Sequence, residues 1–205
     1  MKGTRLNCLC EPITSHGWLQ LPLSVRSYEG GEEWSIRLFQ VGRDEDVLLS
    51  WRLVQPPPAD PLLQGQSELV ASFQAIAESP DMQAFMIWRG QQAIMQLDVV
   101  NANTPLAELY IPVEGSFLLY IKNCVSALKI ELVKALSMAL PFFFQFPEVE
   151  SLYAICEPDA MNRISILSEL GFVPVSLGQQ DVIEVLALTR IDYLQKLANN
   201  SDNLN

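Results

Sequence analysis

A strand that runs directly into a long helix sets narrow limits on the fold of this chain. The junction is LLYIKNCVSALKIELVKAL at residues 118–136, where SFLLYIK predicts a buried strand and the residues after it an amphipathic helix ending at Pro141. The predicted apolar face carries Val125, Leu128, Leu132, Leu136 and Leu140, with Lys129, Glu131 and Lys134 on the other sides. Such junctions often bind phosphate through glycine-rich backbone, and this one has no glycine. Whether it binds a ligand is therefore the central question.

A strand and a short helix are predicted well before the junction. EWSIRLFQV, at residues 33–41, alternates with the period of a strand that is buried on one face. Asp44 is predicted to cap the helix that follows, in which Val47, Leu48 and Trp51 share a face. Three prolines after this helix predict its end.

A second helix and a hairpin are predicted between these elements and the junction. The helix covers residues 67–79, after a proline-rich linker, and Pro80 ends it. MQAFMIWRGQQAIMQLDVVNA, at residues 82–102, contains two apolar runs around Gly90, which is the pattern of a β-hairpin. Bulky residues on both faces predict that these two strands are covered.

The elements predicted after the junction complete a mixed α/β pattern. ESLYAIC at residues 150–156 predicts a strand, and EPDAMNRISILSELGF at 157–172 predicts a helix that Gly171 ends in a left-handed conformation. Two further strands are predicted at 172–177 and 181–190. The order of elements predicts an α/β fold whose mixed sheet is partly antiparallel.

Composition and charge exclude several function classes. With 205 residues and 49% apolar content, we expect one domain at 34–198, an N-terminal extension at 1–33 and a frayed tail at 199–205. The formal net charge of -11 opposes binding to nucleic acid or to an anionic membrane. The longest apolar run is shorter than the ~20 residues of a membrane-spanning helix. Residues 1–20 also lack the apolar region of a secretory signal, so we expect a cytoplasmic protein.

The cysteines do not form a metal-binding pattern. Cys8 and Cys10 make a CxC pair, but the chain has a single histidine, His16, and a zinc site requires four nitrogen or sulfur ligands at characteristic spacings. We therefore expect no bound metal and reduced thiols. Cys156 lies in an apolar strand, where it is expected to be a small core residue.

Three passages, in order along the chain, carry a resemblance to a known family. They are WSIRLFQVGRDEDVLLSW at 34–51, FMIWRGQQAIMQLDV at 85–99 and EPDAMNRISILSELGFVPV at 157–175. These passages resemble the GNAT family of acyl-CoA-dependent N-acyltransferases. The closest branch looks like the siderophore-biosynthesis type, which acylates hydroxylysine, hydroxyornithine or similar amines. The resemblance implies a GNAT-like mixed and largely antiparallel central sheet flanked by helices.

The resemblance implies that an acyl-CoA cosubstrate binds at the junction. In the family, a loop of the pattern Arg/Gln-x-x-Gly-x-Gly/Ala at a helix N-terminus binds the CoA pyrophosphate through backbone N–H groups. The corresponding residues here are KNCVSALK, in which Lys122 and Lys129 are candidates for local positive charge. The residues implied to contact the cosubstrate are Ile121, Asn123, Val125, Ser126, Ala127, Leu128, Lys129 and Asn162.

Candidate catalytic residues follow from the same resemblance and from the chemistry of amine acylation. A base must take the amine proton, and a carboxylate can do so when burial raises its pKa. Glu157 and Asp159 follow a buried strand where the family has a Glu-Pro-Asp element, although Asp159 has the alternative role of helix cap. Tyr120 and Tyr153 are candidate acids for the thiolate leaving group, with packing in the strand as their alternative role. The siderophore branch has a histidine at the position of Leu118, which cannot transfer a proton.

Two functions remain open. The first is an N-acyltransferase that moves an acyl group from a CoA or carrier thioester to a small amine or hydroxylamine, and the acidic chain suits a cationic acceptor. The second is a catalytically inactive binding, regulatory or assembly module, which the missing glycines and the missing histidine favour. Either function is compatible with a homodimer formed through the first thirty residues.

Overall fold

The structure of the chain is a computed structural model that describes eleven ranges of residues. They are 7–8, 24–29, 32–54, 79, 81–104, 107, 111, 113–123, 126–156, 161–176 and 184–202. The helix predicted at 67–79 lies outside these ranges except at its last residue. Val125, Glu157, Asp159 and His16 also lie outside them.

The chain forms two compact units, one of Met1–Val99 with Ile121–Ala127 and one of Val100–Tyr120 with Leu128–Asn205. The elements that belong to the first unit, wholly or for most of their length, are β1 (Asn7–Cys8), β2 (Ser24–Glu29), β3 (Glu32–Leu38), α1 (Glu45–Val54), β4 (Met82–Arg89) and β5 (Gln92–Asn101). Those of the second unit are β6 (Ser116–Asn123), α2 (Lys129–Phe144), β7 (Ser151–Cys156), α3 (Met161–Leu170), β8 (Val173–Pro174), β9 (Glu184–Thr189) and α4 (Arg190–Asp202).

The strands of the first unit follow the chain from β1 to β5. The registers of β1 with β2, β2 with β3 and β3 with β4 are all antiparallel. Strand β3 confirms the predicted alternation, because Trp34 and Ile36 are buried. The hairpin of β4 and β5 is confirmed too, and Gly90 at its turn has a positive φ of 56°, which residues with a side chain rarely adopt.

Helix α1 confirms the helix predicted after Asp44, and its Leu48 and Trp51 are buried as expected. The Asp44 carbonyl accepts the Leu48 N–H at 3.2 Å, which is the backbone role of a cap. Its carboxylate instead accepts two hydrogen bonds, of 2.7 and 2.6 Å, from the guanidinium of Arg37 on β3. A buried carboxylate needs such a partner, so the side chain joins helix to strand rather than capping the helix.

The second unit combines parallel and antiparallel strand pairs. Strand β6 pairs with β7 in parallel, and β9 pairs antiparallel with β7 and with β8. The strand predicted at 150–156 is confirmed as β7, and the helix after it as α3, which ends at Gly171 with a positive φ of 101°. The fold is mixed α/β, with a largely antiparallel sheet flanked by helices, as predicted.

Helix α2 continues past Pro141, where the sequence predicted its end. It runs to Phe144, and the Gln145 N–H donates to the Pro141 carbonyl at 3.1 Å. A proline inside a helix costs about 3 kcal/mol or more. Phe142, Phe143 and Phe144 are all buried, however, and burying each side chain contributes about 1.5–3 kcal/mol. This burial outweighs the cost of the proline.

Helix α4 was not predicted, because the sequence analysis assigned Arg190 to the last strand. Strand β9 ends at Thr189 and α4 begins at Arg190. Thr189 Oγ1 accepts the Asp192 N–H at 3.1 Å and donates to Asp192 Oδ2 at 2.6 Å, which is a hydroxyl cap at the start of a helix. The Thr-x-x-Asp spacing in the sequence was the signal for this helix start.

Candidate functional site

The parallel pairing of β6 with β7 covers only the first part of each strand. It begins at Ser116 and Ser151, whose buried hydroxyl oxygens are 3.0 Å apart, and it ends at Leu119 and Ala154. Both strands continue beyond this point, and β7 stays paired with β9 as far as Cys156. Parallel strands that stop pairing with each other have backbone edges at which an extended ligand can form hydrogen bonds.

Tyr153 and Leu118 are partners in the β6–β7 ladder. Leu118 is fully buried, so the position at which the resemblance implies a histidine carries an apolar side chain inside the core. Tyr153 is half-buried and immediately precedes Ala154, where the ladder ends. Glu157 and Asp159 lie outside the described residues, so the structure describes the place of Tyr153 but of neither candidate base.

The backbone N–H at the start of α2 is bound by a carboxylate of the same helix. Leu128 holds the cap position in an extended conformation, and its carbonyl accepts the Leu132 N–H at 3.1 Å. The Leu128 N–H donates to Glu131 Oε2 at 2.7 Å. This is the contact by which the acidic member of a capping box binds the cap backbone. The positive end of the helix dipole stabilises a carboxylate in this position.

Glu131 lies on the buried face of α2, although the sequence predicts it on another side. The predicted apolar face included Leu128, but the helix begins at Lys129 and the Leu128 side chain is 64% exposed. Glu131 is 9% exposed and precedes the buried Ala135 and Ala139 by one and two helical turns. The spacing of an acidic residue three positions after the cap was the signal that could have found it.

Lys129 connects the first turn of α2 to α3. Its Nζ donates to Ser165 Oγ at 3.1 Å and lies 3.4 Å from Glu169 Oε2. Asn162 lies one turn before Ser165 on α3 and is exposed. The structure thus places two of the residues implied to contact the cosubstrate, Lys129 and Asn162, on packed helices. The charge of Lys129, however, is paired with a carboxylate.

Lys122 belongs to a polar cluster in the first unit that sequence reasoning missed. Its Nζ donates to Asp98 Oδ2 at 2.7 Å, and Gln96 Nε2 donates to Asp98 Oδ1 at 2.5 Å. Asp98 and Gln96 are buried on β5, while the Lys122 side chain is 49% exposed. The signal was an aspartate in an otherwise apolar strand, because a buried carboxylate requires a charged or hydrogen-bonding partner.

The remaining residues implied to contact the cosubstrate differ in burial. Ile121 is buried, Asn123 and Ala127 are half-buried, and Ser126 is exposed. Val125 lies outside the described residues. Three of the eight implied residues, Asn123, Ser126 and Ala127, are thus half-buried or exposed in the segment that leads into α2, where a ligand can reach them.

At the start of α2, one backbone N–H and one cation that a CoA pyrophosphate could use are already engaged. A pyrophosphate requires backbone N–H groups and cations that are open to it. The Leu128 N–H is bound by the Glu131 carboxylate, and the Lys129 ammonium is paired with Glu169. The negative charge of Glu131 also repels a phosphate oxygen that approaches the same N–H.

Other chemistry-bearing features of the described residues do not suggest a reactive centre. Burial raises the pKa of the Cys156 thiol, while Arg163 lowers it and Glu184 raises it. The net rise keeps the thiol protonated at neutral pH, which is unsuited to a nucleophile. Among the residues described, no group of three or more His, Cys, Asp or Glu side chains is placed to hold a metal ion. No described helix is long and apolar enough to span a membrane.

Comparison with known proteins identifies the fold. No protein-family model and no curated protein matches the chain. An uncharacterized protein from Bacillus halodurans superimposes with a TM-score of 0.68 at 12% identity, covering 88% of this chain and 97% of that one. A probable acetyltransferase of the GNAT family from Chromobacterium violaceum gives a TM-score of 0.60 at 13% identity, covering 78% and 89%. The chain has the GNAT fold.

A third similar structure represents the same fold with ligands. It is the spermidine N-acetyltransferase from Vibrio cholerae in complex with CoA and spermine, with a TM-score of 0.59 at 13% identity, covering 78% of this chain and 98% of that one. Likenesses at this level of identity establish the GNAT fold and no more. The predicted GNAT resemblance is confirmed at the level of the fold, and the siderophore branch stays a prediction.

Proposed function

We propose that this protein is an N-acyltransferase that moves an acyl group from a thioester donor to a small amine or hydroxylamine. The observation that carries the proposal is the parallel β6–β7 ladder, which stops at Leu119 and Ala154 although both strands continue. The amide groups of a pantetheine arm can hydrogen-bond to strand backbone at such an ending. In this chain, the end of the β6–β7 ladder occurs in a protein with the GNAT fold.

In the proposed reaction, the bond that forms is matched by a bond that breaks. The amine nitrogen attacks the thioester carbonyl, the C–N bond forms and the C–S bond breaks. Glu157 or Asp159 is the proposed base for the amine proton, and Tyr153 is the proposed acid that protonates the departing thiolate. The position of Tyr153, half-buried and next to the end of the ladder, supports this role.

The proposed donor is an acyl-CoA or a carrier-bound thioester. The residues proposed to contact it are Ile121, Asn123, Val125, Ser126, Ala127, Leu128, Lys129 and Asn162. Support comes from the half-exposed and exposed residues near the start of α2, and from the CoA in the Vibrio cholerae acetyltransferase, which has the same fold.

The proposed acceptor is a cationic amine. The net charge of -11 attracts cations, and the Vibrio cholerae enzyme was crystallised with spermine. The narrower proposal, from the three passages that resemble the siderophore branch, is a hydroxylamine acceptor in siderophore or related metabolite biosynthesis. We also propose a homodimer formed through the first thirty residues, which is compatible with this function.

A second candidate function is a GNAT-fold module without catalysis. The specific observation in its favour is the Glu131 carboxylate on the Leu128 N–H, together with the buried Leu118 at the histidine position. Such a module would bind a partner or regulate an assembly without consuming a thioester.

An assay of thiol release separates the two functions. The full chain is incubated with acetyl-CoA or with acetyl-pantetheine, with and without spermidine or an N-hydroxylated diamine, and the acylated amine is identified by mass spectrometry. The acyltransferase releases thiol only when an amine is present. Tyr153→Phe is expected to slow this release by about 10²-fold, because it removes the acid.

The matched control is Tyr193→Phe, which removes the hydroxyl of another half-buried tyrosine in the same unit. It is expected to leave the rate unchanged. A folded protein that consumes no thioester with any acceptor would rule out the enzyme and favour the module.

A further inference from the structure

We infer that this chain selects its thioester donor by the acyl-pantetheine arm and not by the CoA pyrophosphate, with Glu131 as the residue that sets this specificity. The inference rests on the proposed acyl transfer. It follows from the residues at the start of α2, where Glu131 supplies an anion, Lys129 is paired with a carboxylate, and Leu128 and Ile130 expose apolar side chains.

Glu131 already binds a backbone N–H at the start of α2. Its Oε2 accepts the Leu128 N–H at 2.7 Å, a distance typical of a strong charge-assisted hydrogen bond. A phosphate oxygen would have to displace this carboxylate to reach the same N–H. Because both groups are anions, their repulsion adds to the loss of the bond.

Burial limits the movement of Glu131. The residue is 9% exposed and shares its face of α2 with Ala135 and Ala139, which are 0% and 1% exposed. A carboxylate in these surroundings that gave up the Leu128 N–H would lose one of its hydrogen bonds without gaining water in exchange. The helix dipole also favours its present position. Glu131 therefore stays at the start of α2.

The cation at the start of α2 is already engaged. Lys129 is paired with Glu169 at 3.4 Å and donates to Ser165. Its charge is therefore not available in full to a phosphate, in a chain whose net charge is already -11.

The start of α2 also has an exposed apolar surface. The side chains of Leu128 and Ile130 are 64% and 74% exposed. Apolar side chains gain from contact with an uncharged ligand and lose from covering a hydrated phosphate. A pantetheine arm is uncharged and partly apolar, so it suits this surface.

The inference is tested by calorimetric titration of the full chain with CoA and with pantetheine. For the natural sequence, the two dissociation constants are expected to differ by less than about tenfold, which corresponds to about 1.4 kcal/mol. Glu131→Gln keeps an oxygen acceptor for the Leu128 N–H and removes the charge. It is expected to tighten CoA binding by about tenfold and to leave pantetheine binding unchanged.

The matched control is Glu148→Gln, which removes one negative charge from an exposed residue beyond the other end of α2. It is expected to leave both constants unchanged, so that a general charge effect is separated from the effect at Leu128. Circular dichroism checks that each variant is folded, and the comparison of the two ligands on the natural sequence needs no variant.

The inference is overturned if the natural sequence binds CoA more than about tenfold tighter than pantetheine, or if Glu131→Gln leaves CoA binding unchanged. In that case thiol release from acetyl-CoA would still occur, and the proposed acyl transfer would stand. If neither acetyl-CoA nor acetyl-pantetheine is bound or consumed, both the inference and the proposed function fail.

Discussion

The two ends of helix α2 are stabilised by side chains of opposite charge. One side chain comes from a distant part of the sequence, and the other belongs to the helix itself. At the C-terminal end, the guanidinium of Arg190 donates to the carbonyls of Phe144, Phe146 and Val149. At the N-terminal end, the carboxylate of Glu131 accepts the Leu128 N–H. Each charge has the sign that stabilises its end of the helix dipole.

The difference lies in where each charge comes from and what surrounds it. Arg190 begins α4 and is 46 residues away from Phe144 in sequence, whereas Glu131 is three residues from Leu128. The C-terminal end is packed with buried phenylalanines, while Ile130 at the N-terminal end is 74% exposed. One end is therefore held by tertiary contacts, and the other is held by a local cap.

The largest expected effect tests the packing of the C-terminal end. Phe143 is 1% exposed, and Phe143→Ala is expected to lower the free energy of unfolding by about 3–5 kcal/mol, since it leaves a cavity. Ile130→Ala, at the exposed end, is expected to change it by less than about 0.5 kcal/mol. Urea denaturation measures both. Similar losses for the two variants would remove the contrast between the ends.

The second prediction concerns Arg190, whose guanidinium binds the carbonyls at the C-terminal end of α2. Arg190→Ala is expected to lower the free energy of unfolding by about 3 kcal/mol, because several carbonyls lose a charged donor. Arg190→Lys keeps the charge but not the planar fork, so about half of the loss should remain. Urea denaturation with the same protein preparation checks the ranking. A lysine variant as stable as the natural protein would show that charge alone holds this end.

The third prediction removes the local cap. Glu131→Ala is expected to cost about 1 kcal/mol, the usual value for the loss of a helix cap, and Glu131→Gln less than that. The reason is that the Leu128 N–H loses its charged partner, while Leu128 itself is exposed and Glu131 is the buried member of the pair. A thermal unfolding series measures the change. A loss as large as that of Arg190→Ala would mean that the N-terminal end is a core feature after all.

The smallest expected effect is a pH dependence at the C-terminal end. Tyr193 stacks on Phe144 with ring centroids 4.9 Å apart, and burial raises the pKa of its hydroxyl above the ordinary value of 10.0. Above pH 10 the unfolded chain loses this proton before the folded chain does, so stability falls as pH rises.

Unfolding in urea between pH 9 and pH 11 checks this prediction against the matched variant Tyr193→Phe, which has no proton to lose there. The decline should be smaller in the variant than in the natural protein. Identical declines would show that Tyr193 does not contribute to it.

Much of the candidate site could be located from the sequence, but its chemistry could not. The junction of β6 and α2 was recognisable, because a strand pattern changes to a helix pattern within a few residues. The pairing of Lys122 with Asp98 joins residues 24 positions apart, and that of Lys129 with Glu169 joins two helices. Side-chain partners at such separations follow from packing, which a local pattern does not encode.

The sequence by itself determined the elements whose signals are local. Strand β3, the hairpin at Gly90 and the end of α3 at Gly171 follow from residue alternation and from the positive φ that glycine adopts readily. Only the tertiary structure decided that α2 passes Pro141. The burial of Phe142, Phe143 and Phe144 contributes more free energy than the local cost of a proline inside a helix.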